Sequence, residues 1–127
     1  MLTHITIGAK DTDKSAAFYE AVLGQVGYAR GPQHGNWVIF SCGEGQPPVL
    51  VGAPFEGEAR AANGLMLGFR GENPAQVDAA HAAGVKAGGT DEGAPGPRPA
   101  GPPGTYAAYL RDPTGNKIGI FCMKPGE

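Results

Sequence analysis

Two cysteines, one tryptophan and no long apolar run leave this 127-residue chain few of the marks by which function is usually read. Cys42 and Cys122 do not have the spacing of a zinc or redox motif. Each falls in a strand-like segment, where a reduced cysteine packs as a small hydrophobe; a reactive thiol would instead need a depressed pKa. A bilayer-spanning helix takes about 20 apolar residues, and no segment here approaches that. Met1-Leu2-Thr3-His4 lacks the basic start of a signal peptide, so the expectation is a soluble, cytoplasmic protein. Charged residues make up only 17%, both signs are scattered, and the formal net charge is −2. There is thus no electrostatic footprint for nucleic acid or an anionic membrane. No Gly-x-Gly-x-x-Gly follows a strand, and neither a Walker loop nor a Gly-x-Ser-x-Gly elbow occurs.

Glycine (22) and proline (12) are what the chain has in quantity. They cluster between segments, except from Gly88 to Gly104. That stretch is too long and proline-rich for a plain connection, and it reads as a loop lying over something. Its prolines remove the amide donors that a phosphate cradle needs.

The length suits one domain with a single core. Leu2 to Ile7 alternates as a half-buried strand, with Ile5 and Ile7 on one face and Leu2, His4 and Thr6 on the other. Asp11 is a good cap for a helix running to about Leu23 and stopping at Gly24. Its Ala17, Phe18, Ala21 and Val22 form a stripe suited to cover Ile5 and Ile7. Strands follow over Gly27–Arg30, Asn36–Cys42 and Pro48–Gly52. Residues 54–63 form a charged linker without periodicity. The order then repeats: a strand over Gly64–Phe69, a helix opened by Asn73-Pro74 with Gln76 in capping-box position and ending near Gly84, and a short strand over Val85–Gly89. Two strands close the chain, Tyr106–Arg111 and Lys117–Met123. Asp112-Pro113-Thr114-Gly115-Asn116 between them carries turn chemistry, with Gly115 supplying a positive φ. The element order is therefore β-α-β-β-β twice, at an offset of about 62 residues (His4 to Met66).

The closing hairpin, with Asp112-Pro113-Thr114-Gly115-Asn116-Lys117-Ile118, resembles the Asp-Pro-x-Gly-Asn-x-Ile-Glu hairpin of the vicinal-oxygen-chelate superfamily. That superfamily holds glyoxalase I, the bleomycin-resistance proteins, extradiol dioxygenases and fosfomycin-resistance enzymes. Ser15-Ala16-Ala17-Phe18-Tyr19 with Leu23-Gly24 is similar to its first helix, and His81-Ala82-Ala83-Gly84 to the end of its second. The resemblance implies an α+β fold: two tandem βαβββ modules forming a cupped, eight-stranded mixed sheet with helices outside. Module one would span about residues 1–53, the linker 54–63, and module two about 64–125 of a single domain.

The family's chemistry uses a divalent ion in the cup, acting as a Lewis acid on two neighbouring substrate oxygens. Its ligands come from the first and last strands of each module. Here His4 matches the first such position. The others fall at Met66, within Val49–Val51, and at Gly119, where the family has its metal-binding Glu. None of those side chains is a suitable ligand, so no bound metal is expected. Zinc, nickel, manganese or iron is the alternative, with ligands rebuilt from His34, Glu44, Glu56, Glu58, or Asp91 and Glu92 swinging in from the Gly/Pro-rich loop.

The expected pocket is lined by His4, Trp37, Met66, Tyr106, Tyr109, Lys117 and Gly119. Tyr106 and Tyr109 have opposite parity, so one faces the cup and the other packs against a helix. Trp37 and Phe40 divide in the same way. Lys117 shares parity with Gly119 and Phe121, and either attracts an anionic group in the cup or is solvated beside its turn. His81 reads as a boundary residue of the outer surface. The resemblance implies a small-molecule-binding homodimer with a degenerate metal site, like the bleomycin-resistance branch. Its alternative is an enzyme resembling glyoxalase I (lactoylglutathione lyase-like), an isomerase or a dioxygenase, with His4 the candidate acid–base group. A weaker third reading is a structural partner domain.

Overall fold

In the computed structural model, residues 1–43 and 45–123 are described. The first module runs β1 (Ile5–Gly8), α1 (Thr12–Gly24), β2 (Ala29–His34), β3 (Trp37–Ser41) and β4 (Val49–Gly52). The second runs β5 (Met66–Arg70), α2 (Pro74–Lys86), β6 (Thr90–Pro97), β7 (Tyr106–Arg111) and β8 (Lys117–Cys122). The eight strands fall into two four-stranded mixed sheets of matching order, β1-β4-β3-β2 and β5-β8-β7-β6. In each, the first strand pairs parallel to the last and the rest are antiparallel. The fold is thus α+β, with two βαβββ modules.

Both helices begin where their caps dictate. Asp11 Oδ1 accepts from the Lys14 amide at 3.1 Å, and Asn73 Oδ1 from the Gln76 amide at 2.9 Å. The Gln76 side chain reaches back to the Glu72 amide (2.8 Å), one residue beyond a capping box. Gly84 does not end α2. A Cβ there would lie 2.7 Å from Leu110 Cδ1 and 2.8 Å from Val22 Cγ2, so this glycine is what lets α2 settle against α1 and its own sheet. The chain turns instead at Gly88, with φ +101°.

The stretch from Gly88 to Gly104 corrects the sequence reading. Only residues 98–104 form a loop: Thr90–Pro97 is the edge strand β6, and Val85–Gly89, expected as a strand, lies in the end of α2 and the turn after it. Proline is tolerated at an edge because one side of the strand needs no ladder donor. The register slips between Asp91 and Gly93 and between Gly93 and Gly96, which absorbs the residues that break alternation.

Each helix covers one face of its own sheet, and α1 packs against α2. One apolar cluster results, with Ile7, Phe18, Tyr19, Val38, Phe40, Val49 and Val51 from module one and Phe69, Val77, Leu110, Ile118 and Ile120 from module two. Full burial of such side chains is worth about 1.5–3 kcal/mol each. Cys122 belongs to this cluster, whereas Cys42 is only half-buried; both thiols are free.

The buried phenol of Tyr19 donates to Asp112 Oδ2 at 2.7 Å, tying α1 to the β7–β8 turn. Burial, then the Asp112 charge, hold the Tyr19 pKa well above its usual value. The sign follows: above pH 10 an unfolded tyrosine releases its proton while Tyr19 keeps it. Stability is therefore whole below pH 10 and falls above it, by up to about 1.4 kcal/mol per pH unit from this group. Denaturant titrations between pH 9 and 11 are expected to show a shallower decline in Tyr19→Phe than in the parent.

Candidate ligand-binding site

The faces turned away from the helices are only partly covered. On the first sheet this face carries Thr6, Leu50, Trp37, Ile39 and Ser41, while Ile7, Val38, Phe40, Val49 and Val51 point to the helix. Trp37 lies against Gly52, where a Cβ would come within 2.8 Å of its indole. His4 immediately precedes β1 and is exposed. Its Nδ1 is 3.0 Å from the Thr3 hydroxyl.

The second sheet's open face is more elaborate. Met66, Gly68 and Arg70 of β5 pair in register with Lys117, Gly119 and Phe121 of β8. Tyr109 of β7 stands opposite Gly119, with Gly93 of β6 on its other side. The three glycines decide the surface. A Cβ would lie 2.6 Å from the Phe121 ring at Gly119, 3.1 Å from it at Gly68, and 2.8 Å from the Tyr109 ring at Gly93. The two rings therefore sit down on the sheet, edge to face with centroids 5.7 Å apart.

Cations surround them. Arg98 Cζ is 5.4 Å and Lys117 Nζ 5.2 Å from the Tyr109 centroid, both within cation–π range. Arg98 is held by the carbonyls of Ala94 (2.6 Å), Gly96 (3.1 Å) and Pro97 (3.2 Å). Arg111 donates through Nε to Glu92 at 2.8 Å and through Nη1 to the Gly115 carbonyl at 3.0 Å. A cavity of about 300 Å³ opens beside these groups, lined by Lys117, Arg111, Met66 and residues 62–65. A second, of about 240 Å³, lies between β1 and the β5–β8 edge. A third, of about 480 Å³, includes Tyr28, Cys42, Phe69 and Arg70. Burial and the neighbouring Cys42 thiol raise Tyr28 to about 12.

Of the residues singled out from sequence, the structure gathers Met66, Tyr109, Lys117 and Gly119 on one face. His4 and Trp37 belong to the other sheet. Tyr106 is not a pocket residue: it packs on the helix side, its hydroxyl donating to Asp78 of α2 at 2.6 Å, and that bond raises its pKa. Asp91 and Glu92 do not hang on a loop above the cup; β6 holds them in place. Asp91 meets His81 Nε2 at 2.9 Å and the Gly93 amide at 2.9 Å, and those contacts hold its pKa below the usual value. Arg98 and Arg111 were not anticipated. The parity of Arg111 with Tyr109 was a usable signal, but the bulged register of β6 hides Arg98.

The donor set does not fit a divalent ion. Among the described residues, no three His, Cys, Asp or Glu side chains converge. At the position of the family's Glu, the Phe121 ring occupies the space that any side chain would need. In module one, Val49 and Val51 are buried toward the helix and Leu50 faces out, so neither face of β4 offers a donor there. His34 ends β2 exposed, and Glu56 and Glu58 are exposed in the linker. Glu44 lies outside the described residues.

The sequence profile described as Glyoxalase/Bleomycin resistance protein/Dioxygenase superfamily matches residues 1–120. No curated protein matches the chain. Among solved structures, a glyoxalase/bleomycin resistance protein from Albidiferax ferrireducens T118 is 36% identical with a TM-score of 0.84; the match covers 95% of this chain and 97% of that one. A glyoxalase/bleomycin resistance protein/dioxygenase family enzyme from Burkholderia phytofirmans PsJN is 20% identical (TM-score 0.73; 95% and 97% covered). Lactoylglutathione lyase from Agrobacterium tumefaciens is 23% identical (TM-score 0.65; 95% and 92% covered), a likeness of fold.

Proposed function

The chain belongs to the Glyoxalase/Bleomycin resistance protein/Dioxygenase superfamily, and on that premise we propose that it is a cytoplasmic small-molecule-binding protein that works without a metal. The observation that carries this reading is the Phe121 ring seated on Gly119, with no converging donors among the described residues. An aromatic surface stands where a Lewis-acid site would need a carboxylate, and aromatic walls with a few placed charges are what an organic ligand requires.

The working unit is a homodimer. Trp37, Ile39 and Leu50 on one sheet, and Met66, Tyr109 and Phe121 on the other, leave two apolar faces half-covered. Apolar surface of this kind is ordinarily walled by a partner, and in a two-fold dimer the first sheet of one chain would wall the ligand-binding face of the other without filling it.

Elemental analysis of tag-free protein, with thermal melts in nickel, zinc, manganese and iron(II), tests the metal-free reading. No stoichiometric ion and no rise in melting temperature are expected. A real site at about 100 times its Kd would add about 2.7 kcal/mol and several degrees. An ion bound near one per chain and lost in His4→Ala would overturn the reading in favour of a metal-dependent lyase, isomerase or dioxygenase. Sedimentation of the same sample is expected to show a dimer.

A further inference from the structure

We propose that the open face of the second sheet selects a small organic anion with a flat apolar body, an aromatic monocarboxylate being the simplest member of the class. The inference rests on the reading of this face as ligand-binding and adds the charge and shape of what it takes.

Charge is the first argument. The chain as a whole is slightly acidic, at −2, yet this face collects Arg70, Arg98, Arg111 and Lys117. Arg111 is matched by Glu92, and Arg70 stands 3.7 Å from Glu72. Arg98 and Lys117 have no carboxylate partner among the described residues, and both stand within 5.4 Å of one ring centroid. Neither charge is neutralised by a carboxylate among the described residues, so an anion brought to this face is attracted by both. The cavity of about 300 Å³ that opens between Lys117 and Arg111 is where the anionic group fits.

Shape is the second argument. Met66 contributes an apolar thioether to the cavity wall, and the Tyr109 and Phe121 rings lie further along the same sheet face, beyond the cavity's own lining. Because Gly68, Gly93 and Gly119 let both rings lie close to the strands, they meet at 81° and offer a ring edge beside a ring face, against which an aromatic ligand packs by offset or edge contact. An inorganic anion would satisfy Lys117 and leave this surface bare.

Titration of the whole protein with benzoate, benzamide and acetate, followed by amide chemical shifts, separates the two contributions. Benzamide keeps the ring without the charge, and acetate the charge without the ring. Saturable benzoate binding is expected, with each of the other two about tenfold weaker, a factor that corresponds to 1.4 kcal/mol. Lys117→Met is expected to weaken benzoate by about tenfold and leave benzamide unchanged, while Lys117→Arg retains binding. The melting temperature of each variant is the check on folding. Benzamide binding as tightly as benzoate, or benzoate indifferent to Lys117→Met, overturns the anionic class. If benzoate fails while a neutral aromatic fragment shifts the Met66 and Phe121 amides, this inference falls and the ligand-binding reading stands. If no organic fragment binds either open face, both fall.

Discussion

Asp112→Ala is expected to lower stability by about 3–5 kcal/mol, the range for removing one member of a buried, charged hydrogen-bond network. At this chain length that is roughly 10–20 °C in melting temperature. Asp112 is only 3% exposed, and one carboxylate serves five donors. Oδ1 accepts from the amides of Thr114 (2.9 Å), Gly115 (2.9 Å) and Asn116 (3.0 Å), closing the β7–β8 turn on itself. Oδ2 accepts from the Tyr19 hydroxyl (2.7 Å) and from Asn116 Nδ2 (2.9 Å), and the same Asn116 amide group donates to the Gly8 carbonyl at 3.0 Å. The residue that shapes the hairpin also joins it to α1 and, through Asn116, to the end of β1. Alanine would strand a buried phenol and the Thr114 and Asn116 amides together, while the Gly115 amide keeps the backbone carbonyl of residue 112 (2.9 Å). Asp112→Asn keeps an acceptor for the turn but presents an amide donor to one side or the other, so it is expected to lose about half as much. Urea or thermal denaturation of the two variants decides this. A loss under about 1 kcal/mol in Asp112→Ala would mean that water replaces the carboxylate at little cost.

Gly119→Glu, which writes the family's metal-binding residue back into β8, is expected to cost about 2–4 kcal/mol and to yield no metal affinity. Its Cβ would lie 2.6 Å from the Phe121 ring and 3.3 Å from Tyr109, so the aromatic pair must lift from the sheet before the carboxylate has room. Even then it would find no second or third donor among the described residues. Removing the obstacle should restore much of the loss, so Gly119→Glu combined with Phe121→Ala is expected to be more stable than the two single costs sum to, by about 1 kcal/mol or more. Denaturant midpoints for the four proteins of this cycle give the coupling, and nickel or zinc added to each tests affinity. Tight binding by Gly119→Glu alone would show that loop residues supply the missing ligands.

The absence of a side chain at Gly119 leaves room for the Phe121 ring; Gly68 does the same for Phe121 and Gly93 for Tyr109. Parity along β8 already placed Lys117, Gly119 and Phe121 on one face in the sequence, because side chains alternate strictly across a strand. That Phe121 folds back over its own second neighbour, instead of pointing into solvent, depends on Gly68 of the adjacent parallel strand. No local pattern contains that information.

What the sequence determined by itself was everything governed by neighbours a few residues apart. The two caps at Asp11 and Asn73, the turn opened by Asp112, the double β-α-β-β-β order, and the division of Trp37 from Phe40 between faces are all of this kind. Tyr106 and Tyr109 were separable in parity but not in assignment, since alternation says that two residues face apart and not which one meets the helix. Only the tertiary structure decided that Tyr106 reaches Asp78, that Gly84 is a contact between helices and not a stop, and that Asp112 anchors Tyr19 across 93 positions of chain. It also turned residues 90–97 of the Gly/Pro-rich stretch into an edge strand. Bulges and prolines erase the period of two there, and only the register against β7 brings Arg98 over Tyr109 to make the face cationic.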